Sequence, residues 1–384
     1  MTSDALAHDA LAAKTIACET VETRLLALIG LAERLHADPE TAWQEHRSSA
    51  AVADELASSF TVERGYLGLD TAFRARAGNG SRRVGVFAEY DALPGIGHAC
   101  GHNLISAIAV GAGLALASVA DRLDLTVEVY GTPAEEGGGG KIEMLKRGAF
   151  TDLDLAMMAH PAPVDVAEAR PFAVSHSHVT FTGKAAHAAA YPEQGVNAAD
   201  AFTIAQVAIG LLRQQLPHSV RVHGVVTHGG DAPNVIPERT EGRWYVRAET
   251  MAELEQVEAQ VRRCFEAGAL ATGCELAIEP ESEPYSEFRA DESTLALYRA
   301  NAEALGRTFA DASTGGRMNR ASTDMGNVSL VVPAIHPYIG IDSLPAVNHQ
   351  KEFADHCIGE AADQAIHDGA IALAWTAIDR FTNA

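Results

Sequence analysis

Apolar residues recur at helical spacing over residues 15–35, where Leu25, Leu26, Ile29 and Leu35 fall on one side. His36, Pro39 and Glu40 close that segment, and residues 47–60 predict a second helix. Two short strands at 61–67 and 71–77, split by a glycine-bearing turn, precede a stronger strand over residues 83–88 that delivers Glu89 and Asp91 at its C-terminal end. The pattern then repeats. A strand over 125–130 hands on to Thr132-Pro-Ala-Glu135-Glu136, four glycines and a helix at 141–147; a third, short and apolar, runs 154–159 and ends at His160-Pro161. The apolar run 104–120, rich in Ala and Gly, is short of a membrane span and predicts a buried helix. Strands separated by helices indicate a largely parallel sheet. Ligands collect beyond the carboxyl ends of strands in such sheets, and an acid or a His stands at each of these three ends.

From about residue 173 the order changes to strand 174–183, helix 197–215, strands 219–228 and 240–249, helix 251–271 and strand 274–283. That β-α-β-β-α-β order is the ferredoxin-like one. Afterwards the α/β pattern resumes, with a helix at 294–306, a loop rich in Gly, Ser and Thr at 313–323, a strand at 331–339, His349 and a final helix at 359–379. We therefore expect a discontinuous catalytic domain of residues 1–172 and 285–384, interrupted by an inserted domain of residues 173–284. There is no internal repeat and no low-complexity linker.

Composition narrows the partners. A chain of 384 residues, 47% apolar and 21% charged, suits two globular domains. A net charge of -22 argues against nucleic acid or an anionic membrane surface as partner. The five cysteines, at 18, 100, 264, 274 and 357, are odd in number and scattered. They form no disulfide framework, and with no secretory signal at the start they predict a reducing, cytoplasmic setting.

The chemistry centres on His98-Ala-Cys100-Gly101-His102-Asn103. In an extended loop, residues two apart project to the same side, so the Cys100 thiolate and the His102 imidazole can converge on one ion. Two ligands are too few for a zinc site, and the pair alone is equally a buried cysteine beside a hydrogen-bonded histidine. Glu135-Glu136 can divide its work, one carboxylate on a metal and one on a water, or be no more than acids favoured at a helix start. His160 and His349 each carry little weight alone. Taken together with Cys100, His102 and Glu136 they make five donors of types suited to zinc, manganese or cobalt. That is too many for one open site, and it suits two ions about 3.5–4 Å apart. His187, Asn234 and Arg247 lie in the insert, where an Arg fork suits a carboxylate although a surface ion pair is its commoner fate.

With these motifs assembled, the whole chain resembles the amidohydrolase branch of the dinuclear aminoacylase and carboxypeptidase metallopeptidases. The resemblance implies a catalytic domain of the phosphorylase/hydrolase-like α/β kind and an insert that serves as lid and dimerisation domain. It implies that Cys100 bridges two divalent ions (Zn or Mn, with Co possible), that His102, Glu136, His160 and His349 complete the ligand set, that Asp91 orients a ligand, and that Glu135 is the general base. The histidine at 187 corresponds to one that reaches the partner subunit's site as an oxyanion donor, and Asn234 and Arg247 to lid positions that hold the substrate. Two positions depart from most of the branch, which has Asp where Asn103 and Glu89 stand. Ala88-Glu89-Tyr-Asp91-Ala-Leu-Pro and Gly131-Thr-Pro-Ala-Glu-Glu-Gly-Gly-Gly-Gly-Lys141 are most similar to p-aminobenzoyl-glutamate hydrolase and β-alanyl-lysine dipeptidase-like members.

The expected activity is hydrolysis of the amide in an N-acyl amino acid or dipeptide. A water bridging the metals attacks, Glu135 carries its proton, and a homodimer forms through the lid. Alternatives are a p-aminobenzoyl-glutamate-type carboxypeptidase, a thiol hydrolase using Cys100, and a non-catalytic amino-acid-binding regulator on the same scaffold.

Overall fold

The computed structural model of the chain describes residues 3–310 and 321–382. The chain separates into two units. One takes it up to Arg170 and again from Phe288, and the other is Pro171–Glu287 with Ala321–Thr323.

In the first unit, helices α1 (Ser3–Ala37) and α2 (His46–Leu56) precede strands β1 (Thr61–Arg64), β2 (Phe73–Ala77) and β3 (Arg82–Glu89). Helix α3 (His102–Ala117), β4 (Leu125–Thr132), the short α4 (Gly140–Lys146), β5 (Leu155–Met157) and β6 (His160–Ala162) follow. Burial sets the register of α1: Val21, Leu28, Leu31 and Leu35 are buried, whereas Leu26 is 85% exposed. Leu26 therefore does not share the core face read from the sequence. At 100° per residue it lies well round the helix from Val21 and Leu28. Residues His102 to Leu116 of α3 are buried on every side, as an unbroken Ala/Gly/Leu run requires.

The six-stranded sheet has the order β1-β2-β4-β3-β5-β11, with β11 at Ala334–Ile335. It is mixed rather than largely parallel. β3 runs parallel to β4 and β5, and β11 parallel to β5, but β2 is antiparallel to both β1 and β4. The reason is local: the chain between β1 and β2 is too short for the crossover that a parallel pair needs. β4 is buried along its whole length, so its apolar run is continuous rather than alternating. The third strand also differs from expectation. β5 stops at Met157, and His160 opens β6, which pairs in parallel with β12 (Tyr338–Gly340) as a separate two-stranded ribbon.

The second unit contains β7 (Ala173–Thr182), α5 (Ala198–Leu212), β8 (Arg221–His228), β9 (Arg239–Ala248), α6 (Met251–Thr272) and β10 (Glu275–Pro280). Its strands are ordered β10-β7-β9-β8, all antiparallel. Asn197 and Thr250 cap the two helices through their side-chain oxygens. The core is Phe181, Phe202, Trp244 and Phe265, with the Phe202 and Trp244 rings stacked at 5.3 Å.

The first unit is completed by α7 (Glu292–Ala304), β11, β12 and the C-terminal helix Glu360–Thr382. Among the described residues no helix is long and apolar enough to cross a membrane.

Candidate metal centre

The donors are brought in by four separate pieces of the first unit. Cys100 and His102 come from the loop that opens α3. Gly101 between them has φ of +84°, and a Cβ there would stand 2.8 Å from the Cβ of Pro161, so glycine alone lets this loop lie against the His160-Pro161 segment. Glu135 and Glu136 follow β4 after Ala134, whose φ of +57° is unusual for a residue with a side chain. The carboxylate of Glu45 accepts the Ala134 N–H at 2.8 Å and fixes that turn. His349 also has positive φ, +69°, and its N–H donates to the Ala99 carbonyl at 2.8 Å, next to Cys100. Such strain is kept only where the surroundings over-determine it.

These pieces converge. Donor atoms of Cys100, His102 and His160 lie within 4.8 Å of one another, and so do those of Cys100, Glu136 and His349. Cys100 Sγ is 3.5 Å from His160 Nε2, His349 Nε2 is 3.3 Å from Glu136 Oε1, and His102 Nε2 is 3.9 Å from Glu136 Oε1 and from Glu135 Oε2. A thiolate ringed by three imidazoles and a carboxylate has the surroundings of a shared ligand. A nucleophile with one base does not need them.

A second layer holds the donors in place. Asp91 accepts from His102 Nδ1 at 3.0 Å through one oxygen and from the Glu136 N–H at 2.9 Å through the other. His160 Nδ1 lies 2.8 Å from the Pro161 carbonyl, which also accepts from the Asn348 side chain at 3.0 Å. In both histidines the inner nitrogen is committed to the protein, which turns Nε2 into the cage.

The donor set fits a divalent cation. His102 Nε2, Glu89 Oε2 and Glu136 Oε1 are buried without a hydrogen-bond partner, an unusual concentration of unsatisfied atoms. The electrostatics agree. Burial would raise the Cys100 thiol, but His160 first and then His102 and His349 outweigh it and hold it well below the ordinary range. Burial would lower His102, but Asp91, Cys100 and Glu89 outweigh it and raise it well above. Burial, followed by the Cys100 charge, lifts Glu136 to about 7; burial and the Glu89 and Glu136 charges push Glu135 well above the carboxylate range. His349, 57% exposed, stands at the open side of the cage.

His187, Asn234 and Arg247 lie in the second unit. His187 is exposed, and its Nδ1 accepts from the Ala189 and Ala190 N–H groups at 3.3 and 3.2 Å. The Ala188 N–H donates to the Asn234 carbonyl at 3.0 Å, so these two segments are neighbours. Arg247 sits on β9 and donates to Ser322 at 2.8 Å. Residues 313–320 of the loop expected to shape the substrate pocket lie outside the described residues.

Three buried groups escape sequence reasoning. Lys141 fails the phosphate-loop pattern that the glycines before it suggest, yet its ammonium pairs with Glu89 and, at 2.7 Å, with Asp324. Asp324 and Glu45 carry no motif. Asn103, where most of the resembling branch has Asp, is a structural tie. Its amide donates to the Ala32 and Cys357 carbonyls at 3.3 and 2.8 Å, which a carboxylate cannot do.

Fold and cage together define a metal-dependent hydrolase of amide bonds, and the comparisons with known proteins agree. The profile of the M20 peptidase dimerisation domain matches residues 173–272. The Xaa-Arg dipeptidase of Mus musculus is 40% identical, over 95% of this chain and 88% of its own length. A p-aminobenzoyl-glutamate hydrolase chain of Escherichia coli is 33% identical over 63% of this chain and 55% of its own. A dinuclear metal-binding peptidase of the M20 family from Bacillus subtilis superposes with a TM-score of 0.64 at 20% identity, covering 91% of this chain and 98% of that one. The chain belongs to the M20 family of metallopeptidases.

Proposed function

We propose that this enzyme is a dipeptidase or N-acyl amino acid hydrolase that releases an amino acid from the carboxyl side of the amide. Cys100, His102, Glu136, His160 and His349 would hold two divalent ions, zinc or manganese, with Cys100 common to both groups of donors. Bound there, such ions supply Lewis acidity toward a carbonyl and a water. The observation that carries the reading is the convergence of four further donors on Cys100, with three buried polar atoms beside it left unsatisfied.

The residues then divide the work. Asp91 fixes the ring of His102 and the backbone of Glu136. The Glu135 carboxylate takes a proton from the attacking water and passes it to the leaving amine nitrogen. His187, whose Nδ1 is occupied as an acceptor, has Nε2 available to donate to the oxyanion. Asn234 and Arg247 hold the substrate's carbonyl and carboxylate. The second unit acts as lid and as the homodimer contact, which the match to a dimerisation domain and the exposed Val207, Leu211 and Leu270 on its helices support. Cytoplasmic placement rests on its five free cysteines.

On substrate, the similarity to Xaa-Arg dipeptidase favours a basic C-terminal residue and the similarity to p-aminobenzoyl-glutamate hydrolase an acidic one. A panel of Xaa-Arg and Xaa-Lys dipeptides, p-aminobenzoyl-glutamate and N-acyl amino acids, read by amine release with metals loaded, decides between them. The expected result is turnover of the dipeptides ending in a basic residue. Release from none of the panel would defeat the proposal.

A further inference from the structure

Glu89, Lys141 and Asp324 lie behind the cage with side chains fully excluded from solvent. Four consecutive glycines bring Lys141 to this place. A Cβ on Gly140 would stand 1.8 Å from the Pro133 carbonyl oxygen, so the position just before Lys141 admits no side chain. Lys141 then clamps Asp324 twice, its own N–H donating to one carboxylate oxygen at 2.9 Å and its ammonium to the other at 2.7 Å. The same ammonium holds Glu89 Oε1.

A buried ion pair is weak evidence for stability, because apolar residues of the same shape often do as well. The position of the second Glu89 oxygen gives this one a different meaning. Glu89 Oε2 has no hydrogen-bond partner and faces His102 Nε2, equally without one, at 3.4 Å. Glu89, His102 and Glu135 form a third group of donors within 4.8 Å of one another. Lysine thus fixes one oxygen so that the other is presented to the metal side of His102.

We infer that Lys141, Asp324 and Glu89 form one positioning unit for the ion held at His102, with Glu89 as its working end. This rests on the dinuclear reading above. It also gives a physical sense to the longer acid at position 89, since a carboxylate there must reach a lysine on one side and an imidazole on the other.

The test is the affinity for Zn²⁺, titrated in competition with a chromogenic chelator, alongside melting temperature. Glu89→Gln leaves the Lys141–Asp324 pair intact and is the variant expected to fold. It should weaken one of two bound ions by about 10–100-fold, the scale of a group that orients a ligand, and leave the other unchanged. Lys141→Met should weaken the same ion. The double variant should lose no more affinity than the worse single variant, and should melt above Lys141→Met because one unpaired buried carboxylate has been removed. A purely structural trio predicts instead that the double variant recovers affinity along with melting temperature. Wild-type affinity at both ions in Glu89→Gln overturns the inference, as does recovery in the double variant or additive losses. Should Lys141→Met fail to fold, Glu89→Gln alone decides. A wild-type chain that takes up no Zn²⁺ fails at the earlier step, and the dinuclear reading falls with it.

Discussion

The donors around Cys100 and the side chains of His187, Asn234 and Arg247 in the second unit are placed by different means. In the cage the donors are held by buried neighbours: Asp91 holds His102 and the backbone of Glu136, and the Pro161 carbonyl meets His160 Nδ1 and the Asn348 side chain beside His349. In the second unit His187 and Asn234 are exposed and meet mainly through backbone contacts. The difference teaches where specificity can vary. A cage that must match the geometry of ions admits little change, while exposed residues of the second unit can be exchanged without loss of fold.

The sharpest way to break this comparison is inside the cage. Glu135→Gln keeps the shape and removes the proton carrier. Turnover should fall by about 10³–10⁴-fold, with two ions still bound per chain by elemental analysis. Turnover near the wild-type rate would remove Glu135 from the chemistry. His187→Ala is the matching cut in the second unit. It should lower kcat by about 10²–10³-fold while melting temperature and ion content stay at wild-type values. A fall in melting temperature of many degrees would mean that His187 supports the fold of the second unit instead.

Asp91→Asn has a smaller expected effect, and the kind of effect is informative. The amide can still occupy the space but cannot accept from both His102 and the Glu136 N–H in the same way, so ion affinity should drop by about 10–100-fold. Saturating metal should then restore most of the turnover. If kcat stays low at saturating metal, Asp91 acts on the reaction and not on the ligands.

How much of this is legible in the chain depends on sequence distance. Cys100 and His102 can be read because two residues of one loop carry the pattern. His160 and His349 cannot be read from pattern alone, since His160 opens a three-residue strand with no periodicity and His349 lies in a turn beyond β12. They become candidates only when added to Cys100, His102 and Glu136 as donors of matching type. The Lys141–Asp324 clamp spans 183 residues and has no local signature at all. Leu26 shows the opposite failure, in which a plausible periodic position faces solvent because the neighbouring Leu28 and Leu31 set the true face. The mixed sheet escapes a sequence reading for a similar reason: strand order and direction follow from loop length and edge pairing, which a succession of apolar runs does not contain.

Glu45 offers the smallest expected effect on turnover and a distinct one on stability. It is buried, its carboxylate holds the Ala134 N–H, and burial followed by the Asp91 charge raises it to about 7. In the unfolded chain the same carboxyl ionises near its ordinary value of 4.5. Between these values the folded protein binds one proton more than the unfolded one, so stability falls as pH rises through that window and is fully present below it. The full shift corresponds to about 3 kcal/mol as an upper bound. Glu45→Gln keeps an oxygen for Ala134 but cannot ionise. It should therefore leave turnover within a few-fold of wild type, while its melting temperature relative to wild type climbs from pH 5 to pH 8. Parallel melting curves across that range would show that Glu45 is ionised in the folded protein, and that a different cation compensates it beside the cage.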